Sequence, residues 1–228
     1  MSILDTLSRK WNDIQWWRRT IAPQIVEWYY ELRDRDGMDL MAAEWDNLIV
    51  LDACRYDMFE QLKLPDGELR SVVSKGSNTP EFAGANFGGG SFDDTVYVTA
   101  NPQINIHADC SFHDVVNVWE DHWDENLHTV HPEEMRDATL EAYREYPKKR
   151  LVAHFIQPHH PFIKTDFGDE IGADPFGREG HTTEIDALRK GLISLEEFWA
   201  AYRTNLEYVL DDIELLLSNL DAERVVLS

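Results

Sequence analysis

Three short segments carry residues able to bind a cation, present a nucleophile and hold an anion. In the first, Asp52 directly follows the apolar run Leu48-Ile-Val-Leu51 and precedes Ala53-Cys-Arg55-Tyr-Asp57. A carboxylate at the end of a buried strand is costly unless something cationic meets it, and a divalent metal would do so. The alternative use of Asp at such a place is to cap a following helix. The second segment, Ser74-Lys-Gly-Ser77-Asn-Thr79-Pro80-Glu81-Phe82, follows an expected strand at 69–73 and enters a helix near Pro80. Hydroxyls at such a turn face free backbone N–H groups and the positive end of the helix dipole, which suits an anionic substrate and an activated nucleophile. Ordinary capping accounts for the same residues, with Thr79 standing before a proline at the first helical position. The third, Gln157-Pro-His159-His160-Pro-Phe162, holds two histidines between prolines, stiff and ill suited to core packing, which points to a polar role. A fourth pattern, His107-x-x-Cys110-x-x-His113, has a zinc-like spacing. Structural zinc takes four protein ligands, and the sequence offers no partner pair.

The elements that must position these residues alternate. Short apolar runs at 47–51, 95–98, 150–156 and 224–228 suit strands of a parallel sheet covered on both faces. Helical stretches fall around 54–63, 80–86, 132–146 and 195–220. In the last of these Leu195, Phe198, Trp199, Tyr202, Leu206, Val209, Ile213, Leu216 and Leu220 form one stripe, started by a Ser194/Glu197 capping box. The expected fold is α/β, a doubly wound and mainly parallel sheet with helices on both faces, whose ligand sites lie beyond the carboxyl ends of the strands. That rule selects Asp52, Ser74 to Thr79, Asn101 and His159. Residues 84–90 and 167–180 read as loops. Residues 1–35 read as amphipathic helix broken near Pro23, so the chain divides into 1–40 and an α/β domain over 41–228. Trp16, Trp17, Arg18 and Arg19 would suit peripheral contact with a membrane surface; packing on the protein's own domain is the alternative.

Composition excludes some partners. Lys and Arg number 21 against 43 Asp and Glu, a formal charge of −22, which disfavours binding to nucleic acid. The same excess of carboxylate fits a halophile's protein kept hydrated in concentrated salt, or an ordinary acidic protein. Cys54 and Cys110 form no disulfide framework and no signal-peptide pattern opens the chain, so the cytoplasm is the expected compartment. No apolar stretch approaches the roughly 18 residues of a spanning helix.

Taken in order, the three segments resemble the alkaline phosphatase and sulfatase superfamily, in particular its sulfatase-like archaeal members. "LIVLDACRYD" looks like that superfamily's first metal-binding strand, "KGSNTPEF" stands in the place of its nucleophile loop, and "HFIQPHHPF" is similar to its P-H-x-P-[YF] segment. The helix with Tyr202, Asn205, Val209, Asp211 and Asp212 resembles the one before the family's second metal strand. The resemblance implies an alkaline-phosphatase-like fold and a divalent metal (Zn, Mn, Mg or Ca) bound by Asp52 and Thr79. It implies Thr79 as nucleophile, with Ser77 the alternative, and His159 in contact with the substrate anion or the departing oxygen. Asn101 and Arg55 are the further candidates for substrate contact. The implied activity is hydrolysis or transfer of a phosphate- or sulfate-type ester, with transfer of a phosphoglycerol-type head group as an alternative and a non-catalytic scaffold as another. Two departures qualify it. Ser77 is followed by Asn-Thr-Pro-Glu and not by the x-Pro-Ser-Arg of formylglycine sulfatases. The chain also ends at "RVVLS", where relatives continue into an Asp-His pair and a later His, so weak metal binding and little activity are expected of these 228 residues alone.

Overall fold

The computed structural model describes residues 37–62, 65–168, 171, 182–221 and 225–227. The helices expected in 1–35, with their membrane-surface reading, and most of the loop at 167–180 lie outside these residues. The chain divides into two compact units, Met1–Asp39 with Val72–Lys75, and Leu40–Ser71 with Gly76–Ser228. In the described part of the first unit, Met38 N–H donates to the Val73 carbonyl at 2.9 Å and Lys75 meets Asp39 at 2.7 Å. No strand forms at 69–73. Those residues have no ladder partner, and Leu69, Val72 and Val73 are exposed.

The second unit is an α/β fold. Its elements are β1 (Asn47–Leu51), α1 (Tyr56–Phe59), α2 (Thr79–Phe87), β2 (Ser91–Thr99), α3 (Gln103–His107), β3 (Ser111–Asn117), α4 (Val118–His122), β4 (Trp123–Asp124), β5 (Thr129–Val130), α5 (Pro132–Glu145), β6 (Arg150–Phe155), α6 (Glu184–Lys190), α7 (Leu195–Leu217) and β7 (Val225–Leu227). Five strands form one sheet in the order β3-β2-β6-β1-β7, and every neighbouring pair is parallel. β4 and β5 form a separate antiparallel hairpin.

Alternation along the strands sends side chains to opposite faces. On one face Ile49, Leu51, Val96, Val98, Leu151, Ala153 and Phe155 pack with Met135 of α5 and with Leu206, Val209, Ile213 and Leu216 of α7. On the other, Tyr97 and His154 meet Phe87 and Phe82 of α2. Burying a Leu, Ile or Phe side chain in such layers contributes about 1.5–3 kcal/mol. Because both faces are covered, the central strands read as unbroken apolar runs, and all five residues of β1 are buried.

Some boundaries differ from the sequence reading, each for a physical reason. The helix expected over 54–63 contracts to the four residues of α1, in which only Met58 and Phe59 pack against the core and neither is fully buried. The loop expected from Gly84 begins later, because α2 continues to Phe87, which is 0% exposed against the sheet. Asn78, not Thr79, caps α2: its side chain accepts from Glu81 N–H at 3.0 Å. α7 begins with the expected capping box between Ser194 and Glu197. β3, the hairpin and α6 were not expected from sequence. Among the described residues no helix is long and apolar enough to cross a membrane.

Candidate functional site

Since the strands are parallel, their carboxyl ends share one edge of the sheet. Asp52 follows β1 directly, Asn101 lies two residues beyond β2, and the segment from Ile156 to Pro161 leaves β6. Backbone bonds fix the junction: Asp52 N–H donates to Phe155 O at 3.1 Å, and His159 N–H donates to Asp52 O at 3.0 Å. A cleft of about 510 Å³ opens there, lined by Asp52, Asn78, Thr79, Asn101, His159 and His160, with Gln103, Trp123 and His128 forming further wall. Four residues selected from sequence, Asp52, Thr79, Asn101 and His159, therefore face one space.

Asp52, Asn101 and His159 are held by identifiable partners. Asn101 Nδ2 donates to Asp52 Oδ2 at 3.0 Å, while Asn101 Oδ1 accepts from Gln103 N–H at 2.9 Å. Among the described residues none hydrogen-bonds to Asp52 Oδ1, and Asp52 lines the cleft. The turn after Asp52 puts Ala53 at φ 61°, a left-handed conformation that side-chain-bearing residues rarely adopt. Tyr202 of α7 braces it, its hydroxyl donating to Ala53 O at 3.0 Å and accepting from Arg55 N–H at 2.9 Å. Burial pushes the neighbouring Cys54 thiol up to about 12, which makes it inert.

The loop before α2 approaches that helix closely. A Cβ on Gly76 would lie 2.2 Å from Phe82 N, so only glycine fits. Ser77, the second nucleophile candidate, is occupied: its hydroxyl donates to Glu81 Oε2 at 2.6 Å, a bond that lowers the Glu81 carboxyl below its usual range. Ser77 does not line the cleft, and neither does Arg55, which pairs with Asp57 at 2.7 Å and lies over the Trp199 ring.

The histidine loop is fastened from α6 and α7. Asn205, 0% exposed, donates to the carbonyls of Pro158 (3.3 Å), His159 (3.1 Å) and Pro161 (3.4 Å), and its Oδ1 accepts from Ile163 N–H at 3.2 Å. Glu184 accepts from Phe162 N–H at 3.0 Å. His159 Nδ1 lies 2.6 Å from the His160 carbonyl, which can only accept, so Nδ1 carries the proton and Nε2 remains for other contacts. The His159 and His160 rings stand 4.1 Å apart.

Burial, and secondarily the adjacent His159, push the His160 imidazole down from 6.5 to about 3, opposed by Asp186; Glu184 Oε2 also faces it at 3.6 Å. The unfolded chain takes up this proton near pH 6.5 and the folded chain does not, so the stabilising contribution is full above about 6.5 and is lost as pH falls toward 3. The slope for one such group is about 1.4 kcal/mol per pH unit. Between pH 7 and pH 5, wild-type protein is expected to lose about 2 kcal/mol more unfolding free energy in urea than His160→Gln. Equal losses would show that His160 is not the responsible group.

Comparison of the chain with protein-family models, curated proteins and solved structures returns no match.

For a divalent cation, the donors fit in kind and fall short in number. Asp52 Oδ1 and the Thr79 hydroxyl are hard oxygens on one cleft, whereas catalytic zinc keeps about three protein ligands. Among the described residues no group of three or more His, Cys, Asp or Glu has the geometry of a metal site. The residues of His107-x-x-Cys110-x-x-His113 are engaged separately. His107 lies 3.2 Å from Gln103 Oε1, and the His113 ring packs edge-on against Tyr146.

The sequence reading missed His154. It is 2% exposed in the middle of β6, with Nδ1 2.8 Å from the Tyr97 hydroxyl and Nε2 4.0 Å from Asp52 Oδ2. Its signal was a lone imidazole inside the run Leu151-Val-Ala-His-Phe155, where an ordinary core position is apolar.

Proposed function

We propose that the cleft takes a phosphate- or sulfate-type ester and cleaves or transfers it, within an alkaline-phosphatase-like fold. The supporting observation is that Asp52, Thr79, Asn101 and His159 meet at the carboxyl edge of a parallel sheet, where such folds hold their ligands. In this reading the Thr79 oxygen attacks phosphorus or sulfur, and its proton passes to a solvent water in the open cleft as the new O–P or O–S bond forms. The bond to the ester oxygen breaks on the opposite side, and a doubly protonated His159 donates from Nε2 to the departing oxygen. Asp52 and the Thr79 oxygen would hold a divalent cation, which when bound supplies neutralising charge. Thr79 is favoured over Ser77 because it faces the cleft, whereas the Ser77 hydroxyl is committed to Glu81.

The test is turnover of an aryl phosphate, a bis-aryl phosphodiester and an aryl sulfate after chelator treatment and again after adding Mn²⁺, each with and without glycerol as acceptor. With so few donors in these 228 residues, only low turnover is expected, but it should depend on Mn²⁺ for at least one ester. Product carrying glycerol would identify transfer, and release into water would identify hydrolysis. No turnover of any ester with any of Zn²⁺, Mn²⁺, Mg²⁺ and Ca²⁺ would reject the reading in favour of a binding protein.

A further inference from the structure

The buried histidine behind Asp52 faces a carboxylate, and its proton position follows from its neighbours. Tyr97 is fully buried and has no other hydrogen-bond partner among the described residues. Burial raises its hydroxyl well above 10, so it remains a donor and needs an acceptor. The acceptor within reach is His154 Nδ1, at 2.8 Å. A neutral imidazole that accepts at Nδ1 carries its proton on Nε2.

Nε2 lies 4.0 Å from Asp52 Oδ2. That is too long for a hydrogen bond, but in a buried setting the sign of the charge facing a carboxylate still counts. An N–H presents a positive end to Oδ2, whereas the other tautomer would present a lone pair and repel it. Asn101 Nδ2 donates to the same oxygen at 3.0 Å. Two positive ends thus converge on Oδ2, and none of the described residues donates to Oδ1.

We propose that Tyr97 and His154 form a buried tautomer lock that positions Asp52, directing Nε2–H at Oδ2 so that Oδ1 is presented to the cleft. His154 is a positioning residue in this scheme, since it reaches the cleft only through Asp52. Ring packing accounts for the ring's place: Phe82 and Tyr97 lie 6.0 and 6.1 Å from it, centroid to centroid. Packing does not account for the choice of nitrogen. What Asp52 then binds rests on the function proposed above; the tautomer does not.

Tyr97→Phe is the discriminating change, because it deletes one hydroxyl and keeps the ring among Phe87 and Phe112. In full-length chain labelled with ¹⁵N-histidine, long-range ¹H–¹⁵N correlation at pH 7.5 is expected to show His154 protonated at Nε2 alone. Tyr97→Phe is expected to convert all or part of it to the Nδ1–H form. Mn²⁺ affinity, measured by calorimetry, is expected to fall about tenfold or more in Tyr97→Phe, the range for residues that orient metal ligands. Tyr97→Trp, which disturbs packing, serves to show what general loosening does to both readouts. A wild-type His154 carrying its proton on Nδ1, or on both nitrogens, overturns the lock. So does an unchanged tautomer in Tyr97→Phe. Should wild type and Asp52→Asn bind Mn²⁺ equally, or neither bind it, the assignment of Asp52 as a cation anchor fails while the tautomer measurement still decides the lock.

Discussion

Replacing Asp52 by Asn is expected to lower metal-dependent kcat/KM by about a thousandfold or more, equivalent to roughly 4 kcal/mol of transition-state stabilisation. The substitution keeps the shape of the side chain and an oxygen able to accept from Asn101, so little of the fold is at stake. What disappears is the negative charge, the only carboxylate among the described residues lining the cleft. A cation held by a neutral amide and a hydroxyl binds weakly, and without it the charge that develops on the transferring group is left without compensation. Thr79→Val should give a loss of similar size by a different route, since it is nearly isosteric and removes the attacking oxygen. The two variants separate in binding: Asp52→Asn should abolish Mn²⁺ uptake, and Thr79→Val should leave a measurable part of it. Turnover within tenfold of wild type in Asp52→Asn, with an unchanged melting temperature, would remove Asp52 from the chemistry altogether.

Asn205→Leu is expected to cost about 3–5 kcal/mol in urea unfolding, a large effect for a residue that touches no ligand. Leucine keeps the branching and the number of heavy atoms, so the loss is chiefly one of hydrogen bonds. Three carbonyls, those of Pro158, His159 and Pro161, would lose their donor, and Ile163 N–H would lose its acceptor. Each buried group left unpaired costs about 1–3 kcal/mol, less where water can enter. Asn205→Ala should cost a comparable amount but let water in, so Leu is the cleaner test. A change below about 1 kcal/mol would mean that the loop is held by its own backbone and by Glu184, and that the Asn205 contacts contribute little.

The central layers were readable because burial writes itself as composition. Asn47–Leu51 and Arg150–Phe155 are covered on both faces and appear as apolar runs, and α7 shows its stripe because one side faces the sheet. β3 was not readable, since Ser111–Asn117 is an edge strand with no fully buried residue and carries a mixed pattern. The first half of β2 is similarly masked: Ser91, Asp93 and Asp94 are exposed and polar, with a lone half-buried Phe92 among them, although they continue the strand. At the site, residues that end strands could be picked out by the rule for open parallel sheets, which is why Asp52, Asn101 and His159 were found. Ser77 and Arg55 satisfied the same local pattern and were drawn away by partners four and two residues further on, Glu81 and Asp57, a competition that residue type alone does not reveal. His154 and Asn205 act through neighbours distant in sequence, 57 residues for the Tyr97 bond and 47 for the Pro158 bond.

The β4–β5 hairpin carries a consequence for how a ligand would enter. Gln157, 0% exposed, donates from Nε2 to Val130 O at 3.0 Å and lies 3.3 Å from Thr129 Oγ1, and it immediately precedes the loop that Asn205 fastens. Trp123 and His128 on one wall and His159 on another are therefore joined through buried bonds to a common support. Widening the mouth at that seam would strip those bonds, so thermal motion there should be of small amplitude. The conformational entropy of this side of the receptor is already surrendered when the chain folds, and association need not surrender it again. Ligand capture should accordingly follow a single kinetic phase set by diffusion and desolvation, with affinity differences among ligands expressed in how slowly each one leaves.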